Sequence, residues 1–268
     1  MRGAFILEAW RFNLLLTAMK IHLSLFKIFM KKTIILTGCL LFMTVLMAQD
    51  PAAKERKKQS LANRANDHFL VQLGYLGWNN IPDTINSKGI SKTFNVYFMF
   101  DFPFKTNPNL SMAFGPGIAS DHKIFEKTHV GIKDNAPAIY FTDQSDTNHF
   151  KKTKLATVYL EAPVEFRYSA DPYTGKGLKL AIGVKVGTMI NAHTRNTKLQ
   201  SKSESAINDY VMKESSTRFF NKNRLSGMVR IGYGHFSLFG TYQFTTLFKD
   251  GAGPDVRPFS IGLTLSGL

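Results

Sequence analysis

A single cysteine, Cys39, is all this sequence has, and it falls in an apolar stretch near the N-terminus. Leu36-Thr37-Gly38-Cys39 has the look of a lipoprotein acylation box. Yet only six residues separate Cys39 from Lys32, and the apolar run continues for eight more, to Met47. A lipobox closes such a run, so Cys39 reads as a signal residue lost on cleavage. Without it the remaining chain has no thiol, which excludes disulfides, thiolate metal sites and a cysteine nucleophile. Acidic side chains are scarce as well: 19 Asp and Glu against 34 Lys and Arg, a formal charge of +15. The residues before Gln49 hold six of the basic and one of the acidic groups, leaving 28 and 18, or +10, for the rest. An excess of that size permits nucleic-acid binding. However, there is no basic helix, zinc-ligand spacing or clustered aromatic-basic platform, so nucleic acid is set aside. Anionic lipid headgroups, lipopolysaccharide or surface polysaccharide suit the charge better. Also missing is any helical repeat in the apolar positions beyond residue 68, which recur every two residues.

What the N-terminal part does contain is an export address. Met30-Lys31-Lys32, the apolar stretch 33–47 and Ala48-Gln49-Asp50 follow the charged, apolar, small-residue order of a secretory signal peptide, with cleavage expected after Ala48. Residues 1–29 carry apolar runs broken by Arg11, Lys20 and Lys27, none reaching the ~18 residues of a spanning helix. They read as an extension ahead of the true start at Met30. The expected organisation is therefore 1–29 extension, 30–48 signal peptide, 49–67 polar periplasmic tail and 68–268 barrel. The tail, with Lys54-Glu55-Arg56-Lys57-Lys58, has the composition of a solvated segment.

The hairpin 155–191 shows the pattern that the barrel segment repeats. Val158, Leu160, Ala162, Val164, Phe166 and Tyr168 share one face, and Tyr159, Glu161, Pro163, Glu165 and Arg167 share the other. After a turn at 171–177, Leu178, Leu180, Ile182, Val184, Val186 and Ile190 alternate with Lys179, Ala181, Gly183, Lys185 and Gly187. Strands of soluble sandwiches usually run to about five or six residues, whereas membrane strands need about 9–11. Similar alternation marks 68–79, 92–104, 109–120, 223–233, 235–246 and 257–265, which makes eight strands. Long links (80–91, 121–153, 192–222, 247–256) alternate with short ones (105–108, 170–176, 234). That asymmetry predicts an all-β, eight-stranded antiparallel transmembrane β-barrel, an up-and-down meander with short periplasmic turns and long outer loops. Pro116 and Pro163 lie inside strands and should each mark a bulge or a local break.

Tyr159-Leu160-Glu161-Ala162-Pro163, a basic-aromatic strand end, a polar turn and the glycine-dotted strand 180–187 resemble the PorT-like outer-membrane β-barrel family of Bacteroidetes. The closing Phe259-Ser260-Ile261-Gly262-Leu263-Thr264-Leu265 is similar to that family's last strand. The resemblance covers residues 68–268. It implies outer-membrane residence and, for the namesake, a part in type IX protein secretion with secretion-system or surface protein partners.

Eight strands enclose only enough room for side chains, so an open solute pore is not expected. With the turn near Tyr173 taken as a mirror, Glu161 falls opposite Lys185. With the loop centre near Ile207, Lys185 falls opposite Arg230. Glu161, Glu165, Lys185 and Arg230 are therefore expected to form a lumenal charge cluster whose members neutralise one another. A narrow gated channel is the rival reading. A lipid- or peptide-modifying barrel enzyme is a third, since Asp121, His122, His129, His149 and His193 lie in or beside long loops. No spacing among them matches a catalytic or metal-ligand motif, so the expectation is no enzyme, no catalytic residue, no metal and no cofactor. Gly232-Tyr233-Gly234 lacks the third glycine of a nucleotide loop and is flanked by strands. The loop 121–153 carries five basic and five acidic side chains, and 192–222 six basic and three acidic. Their length and charge point to contacts with surface partners or lipopolysaccharide.

Overall fold

The computed structural model describes residues 68–267 except 83, 84, 86 and 88, and falls into two units, Met1–Gln59 and Ser60–Leu268. The expected extension, signal peptide and tail lie outside the described residues. Within the second unit the described residues form thirteen strands and no helix. These are β1 (Phe69–Asn79), β2 (Lys92–Phe98), β3 (Phe100–Pro103), β4 (Leu110–Phe114), β5 (Gly117–Phe125), β6 (Thr128–Val130) and β7 (Phe141–Asp143). They continue with β8 (His149–Ser169), β9 (Leu178–Gln200), β10 (Ala206–Ser215), β11 (Asn223–Tyr233), β12 (Phe236–Gln243) and β13 (Arg257–Ser266).

Eight of them close a ring in the order β9-β11-β12-β13-β1-β2-β5-β8, with β8 returning to β9. The closing seam pairs the first strand with the last, from Leu70 opposite Ser266 to Asn79 opposite Arg257. All ring pairings are antiparallel, as an up-and-down meander requires. The alternation expected from the sequence sorts the side chains. Leu73, Phe94, Phe98, Ile182, Val186, Val229, Leu238, Ile261 and Leu263 face outward and are exposed, while Gln72, Asn95, Glu161, Lys185, Arg230 and Thr264 are buried inside. Outward apolar residues on β8 run from Val158 to Tyr168. Ten residue steps of ~3.3 Å, tilted by ~40°, make this belt ~25 Å tall, the thickness of an outer-membrane hydrocarbon layer.

Strand lengths depart from expectation above that belt. β5 continues to Phe125, β8 begins at His149 and β9 runs to Gln200, so much of the anticipated loops 121–153 and 192–222 is ladder. β10 pairs with the outer half of β9, and β6–β7 make a separate two-stranded hairpin. The resulting three-stranded blade, β8-β9-β10, extends roughly ten residues past the belt, ~30 Å along the strand. β12 ends at Gln243, three residues before the expected end.

The two strand prolines coincide. Phe114 faces Val164 on one side of the interruption, and Gly117 faces Glu161 on the other, so Gly115-Pro116 lies alongside Ala162-Pro163 with no residue inserted. Pairing to β9 runs unbroken through Pro163 opposite Lys185, which places the missing donor on the β4–β5 side. Both prolines thus share one local break rather than making two bulges. The register shift of β8 and β9 lies instead at Val158/Tyr159. Gly115 is required there, because a Cβ would come within 1.8 Å of the Phe98 carbonyl oxygen.

Candidate functional site: a sealed lumen beneath a raised blade

The lumen is lined by alternate residues of every ring strand, and among the described residues its charges show a modest cationic excess. Four carboxylates (Asp101, Asp121, Glu161, Glu165) share it with six cations (Lys123, Arg167, Lys179, Lys185, Arg224, Arg230). Buried charges have to be matched, and the network shows how. Nearest the short turns, Glu165 Oε2 accepts from Arg230 Nη2 (2.9 Å) and from Arg167 Nε (2.6 Å). Arg167 Nη1 also lies 3.6 Å from Asp101 Oδ1, which accepts from Ser111 Oγ at 2.7 Å.

At mid-height, Lys185 Nζ donates to Tyr97 Oη (3.0 Å) and to Gln72 Oε1 (3.3 Å), with its cation 4.8 Å from the Tyr97 ring centre. Tyr97 Oη in turn donates to Glu161 Oε2 at 2.6 Å. Gln72 also accepts from Asn95 Nδ2 (3.2 Å) and donates to Thr264 Oγ1 (3.1 Å). Lys185 stands on β9 and Gln72 on β1, four positions apart round a ring of eight, so this bond crosses the full width of the barrel. Above it, Arg224 Nη1 reaches Asp121 Oδ2 (2.9 Å) and Glu161 Oε1 (3.1 Å), and its guanidinium stacks 4.6 Å from the Tyr159 ring centre. Thr93 Oγ1 donates to Asp121 at 2.6 Å.

Of the four residues expected to cluster, Glu165 and Arg230 meet directly, and Glu161 and Lys185 are joined through Tyr97. The two pairs are separate centres. The mirror positions fail by a few residues: Glu161 faces Gly187, Lys185 faces Pro163 and Ser226, and Arg230 faces Ala181. Register is set by turn geometry, and the observed centre of the β8–β9 turn lies one residue further along than Tyr173. Arg224, Arg167, Tyr97 and Asp101 complete the network. Each lies on an inward face legible in the sequence, but choosing partners needs the register.

The outer end is closed by an apolar cap built from the outer ends of the strands and the long links. Trp78 packs edge-on against Phe125 (5.6 Å), Phe141 (6.4 Å) and Phe248 (6.1 Å), and Phe248 against Phe220 (5.2 Å). Lys123 lies 5.4 Å from the Trp78 ring centre, a cation–π contact at the base of the cap. Outside it, the β6–β7 hairpin is tied by Asp134, which accepts from the Tyr140 hydroxyl and lies 3.1 Å from His129 Nε2. The Tyr140 and His129 bonds hold the Asp134 carboxyl below the usual aspartate range, and the same contact raises Tyr140.

The loop residues weighed for catalysis do not converge. Asp121 turns into the lumen to Arg224, while His122 faces outward to Ser120 Oγ (3.1 Å). His149 Nδ1 meets the Thr147 carbonyl (2.9 Å), and His193 Nδ1 meets Asn191 Oδ1 (3.2 Å). Among the described residues no three His, Cys, Asp or Glu side chains come together as metal ligands.

The family model described as an outer membrane protein beta-barrel domain matches residues 54–249, 196 of the 268. No curated protein matches. Among solved structures, the crystal structure of Ail, the attachment invasion locus protein of Yersinia pestis, is similar at 10% sequence identity. That likeness covers 74% of this chain and 94% of that one, with a TM-score of 0.33.

Proposed function

Because the chain belongs to the outer membrane protein β-barrel domain family and resides in the outer membrane, we propose that it works there as a non-catalytic surface-binding protein. In this reading the barrel is a sealed pedestal and the β8-β9-β10 blade makes the contact. One observation carries it: β10 is an edge strand with no second neighbour among the described residues, and it lies beyond the apolar belt with Ile207, Tyr210 and Val211 exposed. An unpaired edge and solvent-facing apolar side chains are what a partner strand or apolar surface engages. Deleting 196–214 should abolish surface binding while the barrel keeps its heat-dependent gel shift. Unchanged surface binding, secretion and envelope integrity in that deletion would end the proposal.

The narrower PorT-like resemblance of Tyr159-Leu160-Glu161-Ala162-Pro163 supports a second reading, an accessory role in type IX secretion. Comparing the secreted proteins of deletion and parent strains separates the two. A gated channel is opposed by the Lys185–Gln72 bond across the lumen and by the aromatic cap. Its test is bilayer conductance, with Glu161→Gln altering any current that is seen.

A further inference from the structure

Immediately above the apolar belt, the outward face of β5, β8, β9 and β10 changes character. One cross-strand row runs Lys92, His122, Ala156, His193, Ser215, each directly opposite the next. The row above it sets Lys154 opposite Arg195, and Arg195 opposite Lys213. Strand spacing of ~4.8 Å puts three cations side by side across ~10 Å. Like charges directly opposite destabilise a sheet, so this arrangement costs stability unless something else neutralises it.

None of the described residues does. Lys154, Arg195 and Lys213 have no ion-pair or side-chain hydrogen-bond partner among the described residues, in contrast to Lys198 with Asp209 (3.4 Å) and Lys202 with Asp146 (2.9 Å) higher on the blade. The position is as informative as the charge. Val158 and Ile190 end the belt directly below, so the cations stand at the height of the lipid headgroups in the outer leaflet.

We propose that the Lys154–Arg195–Lys213 row is a docking site for the phosphorylated sugar headgroup of an outer-leaflet glycolipid, its acyl chains lying along the apolar face below. Phosphate oxygens accept several charge-assisted hydrogen bonds at once, and an amphiphile brings them to the one level where this row stands. The site does not depend on what the blade binds, because it lies at the blade's base and uses residues on the opposite face of the ladder from the lumen.

The test is equilibrium binding of a diphosphorylated, acylated glucosamine disaccharide to the full-length protein folded in neutral detergent. Wild type should bind it, and Lys154→Gln/Arg195→Gln/Lys213→Gln should weaken binding on the order of a hundredfold, from ~1 kcal/mol per basic residue at a membrane surface. Lys198→Gln/Lys202→Gln should bind as wild type does. The dephosphorylated lipid should fail to bind, and inorganic phosphate should compete only at far higher concentration. Equal binding by the triple variant, or by the dephosphorylated lipid, would overturn the proposal. So would competition by inorganic phosphate at the lipid's own concentration, which would mark a plain anion site. If the triple variant lacks the heat-dependent shift of a folded barrel, Lys154→Gln alone provides the same comparison, with a severalfold loss expected and no loss refuting.

Discussion

Arg224→Met is the most incisive perturbation of the lumen. Arg224 touches two carboxylates, Asp121 at 2.9 Å and Glu161 at 3.1 Å, and all three residues are less than a tenth exposed. At an effective dielectric of about 20, each attraction is on the order of 5 kcal/mol gross, offset by several kcal/mol of desolvation for each ion. Methionine fills similar volume but leaves both carboxylates without their cation. Asp121 keeps its bond from Thr93 and Glu161 its bond from Tyr97, so neither is wholly abandoned. The expected cost is ~3–5 kcal/mol, the range for breaking a buried pair on one side. The double variant Arg224→Met/Asp121→Asn restores the charge balance, leaving Glu161 to Lys185 through Tyr97, and should recover to within ~1–2 kcal/mol of wild type. The assay is urea unfolding in detergent micelles at neutral pH, followed by tryptophan fluorescence and by the fraction of heat-shifted protein. A cost below ~1 kcal/mol for the single change, or no recovery in the double variant, would show that water rather than Arg224 solvates these carboxylates.

Other consequences can be checked separately. Gly115→Val should cost more than ~2 kcal/mol or block folding, because its Cβ would meet the Phe98 carbonyl at 1.8 Å; a normal heat shift and unfolding midpoint would contradict this. Trp78→Ala should cost ~3–5 kcal/mol and expose the cap to protease while the spanning strands stay protected, since Trp78 contacts three rings there. Because the Asp134 carboxyl is held below its ordinary range, its contribution to the β6–β7 hairpin is complete above the unfolded aspartate value of ~3.9 and lost as pH falls through the lower folded value. Protection factors at 128–143, exchange rates corrected for the intrinsic rate at each pH, should therefore be flat from neutral pH down to about 4 and fall below that; Asp134→Asn with unchanged protection at neutral pH would refute the linkage.

Much of the barrel was legible because a membrane enforces alternation. Where the outside is hydrocarbon, Leu160, Val164 and Phe166 must be apolar, and the intervening Glu161, Glu165 and Arg167 have only the lumen to enter. That contrast vanishes above the belt. There the outward residues of β8 and β9 are Lys152, Lys154, His193 and Arg195, the period-2 signal fades, and continuing strand reads as charged loop. The prolines misled for a different reason: each lacks a donor, but the single break at Gly115–Pro116 accommodates both without changing register. The inward charges were visible in sequence, and their partners were not. A miscounted turn shifts every opposite pair by two residues, and long side chains such as Arg224 bond across strands that are not neighbours at all.

The seam between β1 and β13 joins residues almost two hundred positions apart, from Leu70 opposite Ser266 to Asn79 opposite Arg257. Until the last strand arrives, β1 and β12 each present a row of bare backbone groups, and in hydrocarbon every such group costs several kcal/mol. No partial cylinder can rest in the bilayer at that expense. Insertion must accordingly be all-or-nothing, with the N-terminal strand held in waiting while the other seven assemble. A chain shortened by its final ten residues would not yield a smaller or leakier barrel; it would yield none.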